Sequence, residues 1–316
     1  MQADNIMGGD MQVLEIKNIY KRFGDVTAVN DLSFNLEAGN VFGFLGPNGA
    51  GKTTAIRMIM NIIVPDSGSI SVMGNSKISE INSTIGYLPE ERGIYRKMKV
   101  KEVLLFLSKL KEMRHNEASK AIDYWLDRMS LGDWKKKKVE ELSKGMQQKL
   151  QFIATIMFDP SLIILDEPFM GLDPINVNII KDIIMEMKRK GKTIIFSTHS
   201  MDSAEKLCDR ILLVNKGKEV LSGKLSEVKQ RFGTKNIHLN YEGDDAYLRE
   251  SELVEKFDDF GNFIEIQMKP DADPQELLKQ VSSRYRVSKF EIVEPSLNDI
   301  FIQAVQGTNM GVSDVQ

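Results

Sequence analysis

Short runs of apolar residues are spaced along the first two-thirds of the chain. Alternation of apolar and polar residues is typical of a strand with one buried face, and a short continuous run is typical of a strand buried on both faces. These patterns predict strands over residues 13–19, 33–36, 40–45, 161–165, 193–197, 211–215 and 218–222. The last two flank Lys216-Gly217, which predicts a hairpin at that dipeptide.

A helical spacing of apolar residues appears between these strands. It predicts helices over residues 53–63, 100–129, 147–158 and 177–190. Short apolar strands separated by helices indicate an α/β fold with a mostly parallel sheet.

The pattern of apolar and charged residues changes near residue 223. Beyond that point it predicts helices over residues 224–232, 273–281 and 296–305, with strands over 237–241, 261–268 and 285–292. We therefore expect a large domain of residues 11–223 and an α+β accessory domain of residues 224–306. We expect residues 1–10 to be a disordered leader and residues 307–316 to be a flexible tail.

Composition narrows the class of protein without identifying a function. The 316 residues carry 42 Lys+Arg and 45 Asp+Glu, so the net charge of −3 offers no general attraction for nucleic acid. One cysteine cannot form an internal disulfide. No apolar run approaches the roughly 18 residues of a membrane span, which excludes an integral membrane protein but not a membrane partner.

A glycine-rich segment carries the first candidate chemistry. Residues 46–53 are GPNGAGKT, which fits the whole P-loop pattern, between a predicted strand and a predicted helix. Glycines let backbone N–H groups turn toward phosphate oxygens, to which a helix N-terminus adds attraction. Lys52 would reach the outer phosphates, and the hydroxyl of Thr53 would bind Mg²⁺.

Polar residues at the ends of two later strands add to this site. Asp166 and Glu167 follow the apolar run of residues 161–165. Asp166 suits a contact with hydrated Mg²⁺, and Glu167 can polarise a water aimed at a γ-phosphate. His199, after the strand of residues 193–197, is placed to touch that phosphate. Ser143, with the backbone of Gly145, precedes a helix and can also contact phosphate.

These segments together resemble the motifs of an ATP-binding cassette (ABC) ATPase, the nucleotide-binding subunit of a transporter. The resemblance covers residues 11–222. Besides the P-loop (Walker A), the sequence LIILDEP ending at residue 168 resembles Walker B, and LSKGMQQ (142–148) resembles the family signature. Gly171–Pro174 resembles the D-loop, His199 the switch histidine, and Phe23 the aromatic residue that stacks on adenine.

Two segments depart from the family pattern. Glu90 stands in GYLPE where the family usually has Gln. A carboxylate there can still bind Mg²⁺, but it cannot donate a hydrogen bond while ionised. In the signature, Lys144 and Met146 replace the usual Gly and Gln, whereas Ser143 and Gly145 are retained. Because the charged catalytic positions are retained, we expect an active ATPase.

The resemblance implies ATP and Mg²⁺ as cofactors. It implies that the catalytic residues are Glu167, His199 and Lys52, and that Mg²⁺ is held by Thr53, Asp166 and Glu90. The residues expected to bind the nucleotide are Phe23, Gly46, Asn48, Gly49, Gly51, Lys52, Thr53, Thr54, Glu90, Ser143, Gly145 and Asp173.

The resemblance also implies partners. ABC ATPases work as head-to-tail pairs, so we expect a homodimer or a pair with a close paralogue. A separate transmembrane permease would receive the motion at the helical region after Glu90 and would hold the chain at the cytoplasmic face of the membrane. Two alternatives remain open. One is an ABC ATPase that acts on a macromolecule, and the other is a subunit that binds ATP without hydrolysing it.

Three further features carry additional expectations. The segment beyond Gly223 resembles the small C-terminal domain of sodium-efflux ABC subunits, in which Ser296 and Asp299 would cap a helix. Lysines 135–138 predict a solvated loop or a site near anionic lipid. The basic segment 96–101 follows the position at which the family meets its permease.

Overall fold

The computed structural model describes residues 12–75, 81–91, 93–232, 236–244, 246–269 and 272–310, except the side chains of Asn82 and of residues 306–310. The predicted leader, residues 1–10, and the last part of the predicted tail, residues 311–316, lie outside this range. The described residues form two compact units, which meet in sequence between Gly223 and Lys224.

An antiparallel sheet opens the first unit. It has three strands in the order β2-β1-β4, with β1 at Gln12–Phe23, β2 at Val26–Glu37 and β4 at Ser67–Val72. The first two strands are longer than predicted, because they continue to a tight turn at which Phe23 pairs with Val26. Strand β4, which was not predicted, begins with three exposed residues and ends at the buried Val72.

A six-stranded sheet in the order β5-β6-β7-β3-β8-β9 forms the centre of the first unit. Its strands are β3 Val41–Leu45, β5 Ile85–Leu88, β6 Leu162–Asp166, β7 Thr193–Thr198, β8 Arg210–Asn215 and β9 Lys218–Lys224. The pairs β5–β6, β6–β7, β7–β3 and β3–β8 are parallel. The residues of β3, β6 and β7 are all buried, as expected where both faces of a parallel sheet are covered.

The predicted hairpin at Lys216-Gly217 is confirmed. Both residues have left-handed backbone, with φ of 48° and 77°, and they join the neighbouring strands β8 and β9. Two consecutive residues of positive φ give the turn whose twist suits a two-residue hairpin.

Helices cover the sheet of the first unit. They are α1 Lys52–Ile59, α2 Val100–Leu110, α3 His115–Arg128, α4 Lys144–Ile156, α5 Pro174–Arg189 and α6 Met201–Leu207. The prediction of one helix over residues 100–129 is wrong. Glu112 has a φ of 60°, which a right-handed helix cannot contain, and the N–H of Met113 bonds back to the carbonyl of Ser108. The break escapes prediction because it contains no Gly or Pro.

The second unit is an antiparallel sheet with helices. Its sheet has the order β11-β12-β10-β13, and its elements are α7 Leu225–Arg231, β10 Asn236–Glu242, α8 Ala246–Arg249, β11 Val254–Asp259, β12 Ile264–Met268, α9 Pro274–Arg284, β13 Arg286–Val293 and α10 Leu297–Met310. Helix α8 and the largely charged strand β11 have no apolar pattern that predicts them. The structure thus bears out an α+β fold here.

The predicted cap of the last helix is present. The N–H of Asp299 donates to Oγ of Ser296 at 3.2 Å, and the N–H of Ser296 donates to Oδ2 of Asp299 at 3.2 Å. This reciprocal pair satisfies N–H groups that the helix itself cannot. Helix α10 continues to Met310, through the first four residues of the segment expected to be a tail.

None of the helices in the described part of the chain has the length and apolar character that a membrane span requires.

Ile164 tests the buried centre of the first unit. Its side chain in β6 is 0% exposed, so Ile164→Ala should lower the free energy of unfolding by about 2–5 kcal/mol. Ile175→Ala is the control, because that side chain is 74% exposed and its loss should change stability by less than about 0.5 kcal/mol. Urea unfolding followed by the fluorescence of Trp125 and Trp134 reports this unit. Equal effects of the two substitutions would contradict the position of Ile164 in the core.

Candidate nucleotide-binding site

The P-loop joins β3 to α1 and needs glycine at two positions. Gly46 and Gly51 have φ of 151° and 101°. A Cβ on Gly46 would lie 2.2 Å from the carbonyl oxygen of Val214, and one on Gly51 would lie 2.2 Å from that of Ala28. The left-handed backbone and the close carbonyl oxygens therefore both exclude a side chain at these two positions. Glycine lets the loop pack directly against the neighbouring backbone.

Lys52, the first residue of α1, is held inside this loop. Its side chain is 6% exposed, and Nζ donates to the carbonyl oxygens of Gly46 at 2.9 Å and Pro47 at 3.2 Å. The same Nζ lies 3.8 Å from Oε1 of Glu167. Burial lowers the pKa of Lys52, and the nearby carboxylates, Glu167 foremost, oppose that shift. The ammonium group is thus positioned before any ligand reaches it.

Glu90 lies beside the P-loop, although 37 residues separate it from Thr53. The Thr53 hydroxyl donates to Oε2 of Glu90 at 3.1 Å. The structure therefore brings the residue that departs from the family pattern to the hydroxyl expected to bind Mg²⁺. Thr53 and Glu90 together offer two oxygen atoms of the kind that hard cations prefer.

Asp166 is the last residue of β6 and is fully buried, at 0% exposed. Its Oδ1 accepts a hydrogen bond from the Ser197 hydroxyl, whereas Oδ2 has no hydrogen-bond partner among the described residues. Burial raises the pKa of Asp166, and the hydrogen bond from Ser197 acts in the opposite direction. A buried carboxylate oxygen without a partner is a group that a cation or its water would satisfy.

Glu167 turns away from the strand direction directly after Asp166. Its φ is 49°, a conformation that costs a non-glycine residue about 1–2 kcal/mol. The backbone N–H of Glu167 compensates by donating to both the carbonyl oxygen and the hydroxyl of Ser197, each at 3.2 Å. The turn places the buried carboxylate of Glu167 at the edge of the sheet.

His199 completes this group at the end of β7. Its Nδ1 lies 2.9 Å from Oε1 of Glu167, and its side chain is 57% exposed, against 10% for Glu167. One carboxylate oxygen of Glu167 thus contacts both His199 and Lys52. The structure brings together the three residues predicted to be catalytic.

A pocket of about 220 Å³ opens at this edge. It is lined by Val26, Thr27, Ala28, Asn48, Gly49, Gly51, Lys52, Thr53, Thr54, Glu90 and Glu167. Phe23 does not line it, but pairs with Val26 in the adjoining turn and is 47% exposed. Its ring is thus available at the rim, where an adenine ring could stack on it.

Sequence reasoning missed two contributions to the site. Residues 26–28 line the pocket from the start of β2, and no motif identifies them. The Ser197 hydroxyl donates a hydrogen bond to Asp166 and accepts one from the N–H of Glu167. In the sequence it is a polar residue after the apolar run IIF, and in the structure it is 0% exposed.

The described residues contain no group of three or more His, Cys, Asp or Glu side chains that could hold a metal by themselves. Mg²⁺ in phosphate sites needs fewer protein ligands, because phosphate and water oxygens complete its shell. The oxygens of Thr53, Glu90 and Asp166 fit that requirement, above all the unpartnered Oδ2 of Asp166.

The signature residues and Asp173 lie elsewhere in the unit. Ser143 caps α4 by accepting the N–H of Met146 at 3.2 Å, and Asp173 caps α5 by accepting the N–H of Asn176 at 3.0 Å. The hydrogen bonds from Asn176 lower the pKa of Asp173. A Cβ on Gly145 would lie 3.4 Å from the carbonyl oxygen of Gly171, so the signature packs on the D-loop. Ser143, Gly145 and Asp173 do not line the nucleotide pocket.

A second pocket, of about 360 Å³, lies next to the segment that carries Glu90. Its lining is mostly apolar and consists of Met60, Tyr87, Leu88, Pro89, Gly93, Ile94, Leu107, Leu110, Lys111, Gln151, Ala154, Thr155 and Phe158. Gln151 donates to the carbonyl oxygen of Glu91 at 3.5 Å. Burial raises the pKa of Tyr87 in this wall to about 12. We call this pocket the apolar groove.

Comparison with known proteins agrees with this geometry. Residues 29–170 match the ABC transporter family, and residues 223–305 match the C-terminal domain of DrrA1-3-like ATP-binding proteins. The chain is 43% identical over 293 residues to the uncharacterized ABC transporter ATP-binding protein YhaQ of Bacillus subtilis (strain 168), with 93% of this chain and 98% of that protein covered.

Two further likenesses extend the comparison. The Nod factor export ATP-binding protein I of Sinorhizobium fredii (strain NBRC 101917 / NGR234) is 30% identical over 311 residues, covering 95% of this chain and 89% of that one. The solved structure of the ATP-binding subunit of an ABC transporter matches with a TM-score of 0.65 and 28% identity, over 70% of this chain and 93% of that one. The predicted fold class is confirmed.

Glu90→Gln tests the charge of the site. The change removes one negative charge beside Thr53, so ATP without a divalent cation should bind at least about tenfold more tightly than to the unaltered chain. With Mg²⁺ present the gain should shrink, because the cation offsets the same charge. Titration with a fluorescent ATP analogue, in EDTA and in Mg²⁺, measures both values.

The control for this prediction is Glu91→Gln, because the Glu91 side chain is 82% exposed and pairs with Arg57 at 3.0 Å. It should leave both affinities unchanged. An unchanged affinity of Glu90→Gln in EDTA would show that the charge does not act on the phosphates.

Proposed function

Because the chain belongs to the ABC transporter ATP-binding proteins, we propose that it hydrolyses ATP and couples that reaction to export through a separate membrane permease. The observation that carries this proposal is the meeting of Lys52, Glu167 and His199 at one edge of the sheet. Oε1 of Glu167 lies 3.8 Å from Nζ of Lys52 and 2.9 Å from Nδ1 of His199. A carboxylate base that contacts both a cation and an imidazole suits in-line attack of water on a γ-phosphate.

Each side chain has a distinct role in the proposed reaction. Glu167 accepts a hydrogen bond from the attacking water and orients it. Lys52 binds the β- and γ-phosphates from within the P-loop. His199, largely exposed, orients Glu167 and contacts the γ-phosphate as charge develops on it. Thr53, Asp166 and Glu90 would hold Mg²⁺, which would neutralise phosphate charge when bound.

The contacts within the site support a hydrolysing subunit over one that only binds ATP. Glu167 adopts a left-handed backbone, and two hydrogen bonds to Ser197 hold it there. Such a conformation persists only where the surroundings fix it, and it is common at active sites. It aims the carboxylate at the pocket that Lys52 lines.

A second copy of the chain, or a close paralogue, is part of the proposal. Ser143 and Gly145 do not line the nucleotide pocket, and both lie at the exposed N-terminus of the 13-residue helix α4. A helix N-terminus attracts phosphate. In a head-to-tail pair, the signature of one chain would face the γ-phosphate held by its partner.

The apolar groove is the proposed binding site for the permease. It shares Leu88 and Pro89 with the segment that ends at Glu90, so a partner in the groove lies one or two residues from the nucleotide site. The relative from Sinorhizobium fredii is named as an export ATP-binding protein, and an exporter requires a membrane partner. The chain would then act peripherally, at the cytoplasmic face of the membrane.

Glu167→Gln tests the proposed base. Loss of the carboxylate should lower the rate of phosphate release at least about 100-fold and leave ATP affinity within a factor of about two. Glu255→Gln, an exposed carboxylate of β11, is the matched control and should retain full turnover. A Glu167→Gln variant with turnover close to that of the unaltered chain would exclude Glu167 as the base.

Ser143 tests the shared site in a Glu167→Gln background, in which ATP should give a dimer by light scattering. Aspartate and asparagine cap helices as well as serine, so Ser143→Asp and Ser143→Asn should both keep α4 intact. Only Ser143→Asp places a charge against the partner's γ-phosphate, and it should prevent dimer formation. If both variants dimerise equally with ATP, the signature does not face the nucleotide.

A further inference from the structure

Two basic segments that lie far apart in the sequence are neighbours in the first unit. The N–H of Val100 donates to the carbonyl of Lys137 at 2.9 Å, and the N–H of Val139 donates to that of Met98 at 3.0 Å. Two more backbone bonds, from Glu140 to Arg96 and from Lys101 to Lys135, extend the contact. These bonds join residues 96–101 and 135–138 into one surface.

We call this surface the basic ridge. Its cationic residues are Arg96, Lys97, Lys99, Lys101, Lys135, Lys136, Lys137 and Lys138. Alone, residues 135–138 predict a solvated loop or a site near anionic lipid, and residues 96–101 predict a contact with a permease. The backbone bonds bring these eight cationic residues together in a chain whose net charge is −3.

Half of these cations are balanced by carboxylates. Lys99 pairs with Glu102 at 3.5 Å, Lys137 with Glu141 at 3.6 Å and Lys138 with Glu140 at 3.5 Å, and Lys135 pairs with Asp123. These lysines are 30–58% exposed, so water screens the pairs and a stronger anion can compete for them.

The other four cations, Arg96, Lys97, Lys101 and Lys136, form no ion pair with any residue in the described part of the chain. Arg96, Lys97 and Lys136 are exposed. Lys101 is half-buried, and its Nζ lies 3.5 Å from Oγ of Ser119. The ridge therefore carries positive charge that no carboxylate among the described residues pairs with.

An exposed aromatic pair borders the ridge. Tyr95 is 54% exposed and Phe106 is 39% exposed, and their rings meet edge to face at a centroid distance of 5.4 Å. Tyr95 directly precedes Arg96. Tyrosine is enriched where a membrane meets water, because its ring enters the apolar layer while its hydroxyl stays hydrated.

We propose that the basic ridge and the Tyr95–Phe106 pair bind the surface of an anionic phospholipid bilayer. Seven of the eight cations are lysine. Lysine is depleted and arginine enriched in contacts between proteins, whereas clusters of four to eight basic residues are typical of sites for anionic lipid. The composition of the ridge therefore favours lipid over a protein partner.

The position of the ridge agrees with this partner. Gly93 and Ile94 line the apolar groove, and the next residues along the chain are Tyr95 and Arg96. Leu110 of the groove lies on the same helix, α2, as Phe106. This step rests on the proposed function, in which a permease embedded in lipid occupies the groove. The charge of the ridge and its exposed aromatic residues do not depend on it.

The test measures binding of the purified full-length chain to vesicles that contain no protein. Sedimentation compares vesicles of phosphatidylcholine with vesicles that hold one part phosphatidylglycerol to three parts phosphatidylcholine. The chain should bind only the anionic vesicles, and at 0.5 M salt that binding should fall at least about tenfold because salt screens the charges. The outcome does not depend on ATP hydrolysis or on a permease.

The variant that tests the ridge is Lys97→Glu with Lys136→Glu, which should weaken binding to the anionic vesicles at least about tenfold. The control, Lys218→Glu with Lys279→Glu, changes two exposed lysines outside the ridge by the same charge and should bind normally. A milder variant, Tyr95→Ala, should weaken binding a few-fold without altering charge. All three should retain ATP affinity.

Two results would overturn the proposal. One is equal binding of the ridge variant and its control to anionic vesicles. The other is absence of binding to anionic vesicles while the ridge variant alone loses retention on native membranes, which would identify a membrane protein as the partner. Failure of ATP hydrolysis with intact vesicle binding would instead refute the proposed function and leave the ridge as a lipid site.

Discussion

The parallel hydrogen bonding of β6, β7 and β3 is the constraint on which the candidate site depends. In register, Asp166 pairs with Ser197 and Leu45 pairs with Thr198, so the three strands end at the same edge of the sheet. Each strand is buried along its length, so a slip in register would change which side chains pack on each face and would offset the ends of the strands. The same edge therefore receives the P-loop, the two acids at the end of β6 and the histidine after β7. The register that packs the core therefore also brings the residues of the site together.

Charge is the second constraint, because several ionisable groups lie close together at this edge of the sheet. Lys52 is buried, and an isolated buried cation would be costly. Two backbone carbonyls and the carboxylate of Glu167 compensate it. Asp166 and Glu90 add two more carboxylates near the same ammonium, so the protein alone presents more negative than positive charge to the pocket. A cation accompanying the nucleotide would balance this excess, and glutamate instead of glutamine at residue 90 increases it by one charge.

The parts of this arrangement that were readable from sequence are those in which neighbours in space are also neighbours in the chain. GPNGAGKT and the Asp166-Glu167 pair each form a continuous segment, and their chemistry follows from the residue types. The break between α2 and α3 was not readable, because the apolar spacing continues on both sides of Glu112. The role of Ser197 and the joining of the two basic segments were not readable either, since they depend on contacts between distant segments. In the ridge these are the backbone bonds between residues 96–101 and 135–140.

The short segment at the end of β5 shows how the site and the apolar groove can influence each other. Its residue 90 accepts a hydrogen bond from Thr53 in the P-loop, and the carbonyl of residue 91 accepts one from Gln151 in the groove wall. Arg57 of α1 holds the side chain of Glu91, so the helix that follows the P-loop is tied to the same segment. A ligand shifts an equilibrium only by contacts that differ between two states. Phosphate and a cation bound at Thr53 would change its contact with Glu90. Because Leu88 and Pro89 line the groove, a displacement of residues 88–91 would reach both surfaces. Such a coupling would need the movement of one strand end and not of the whole unit.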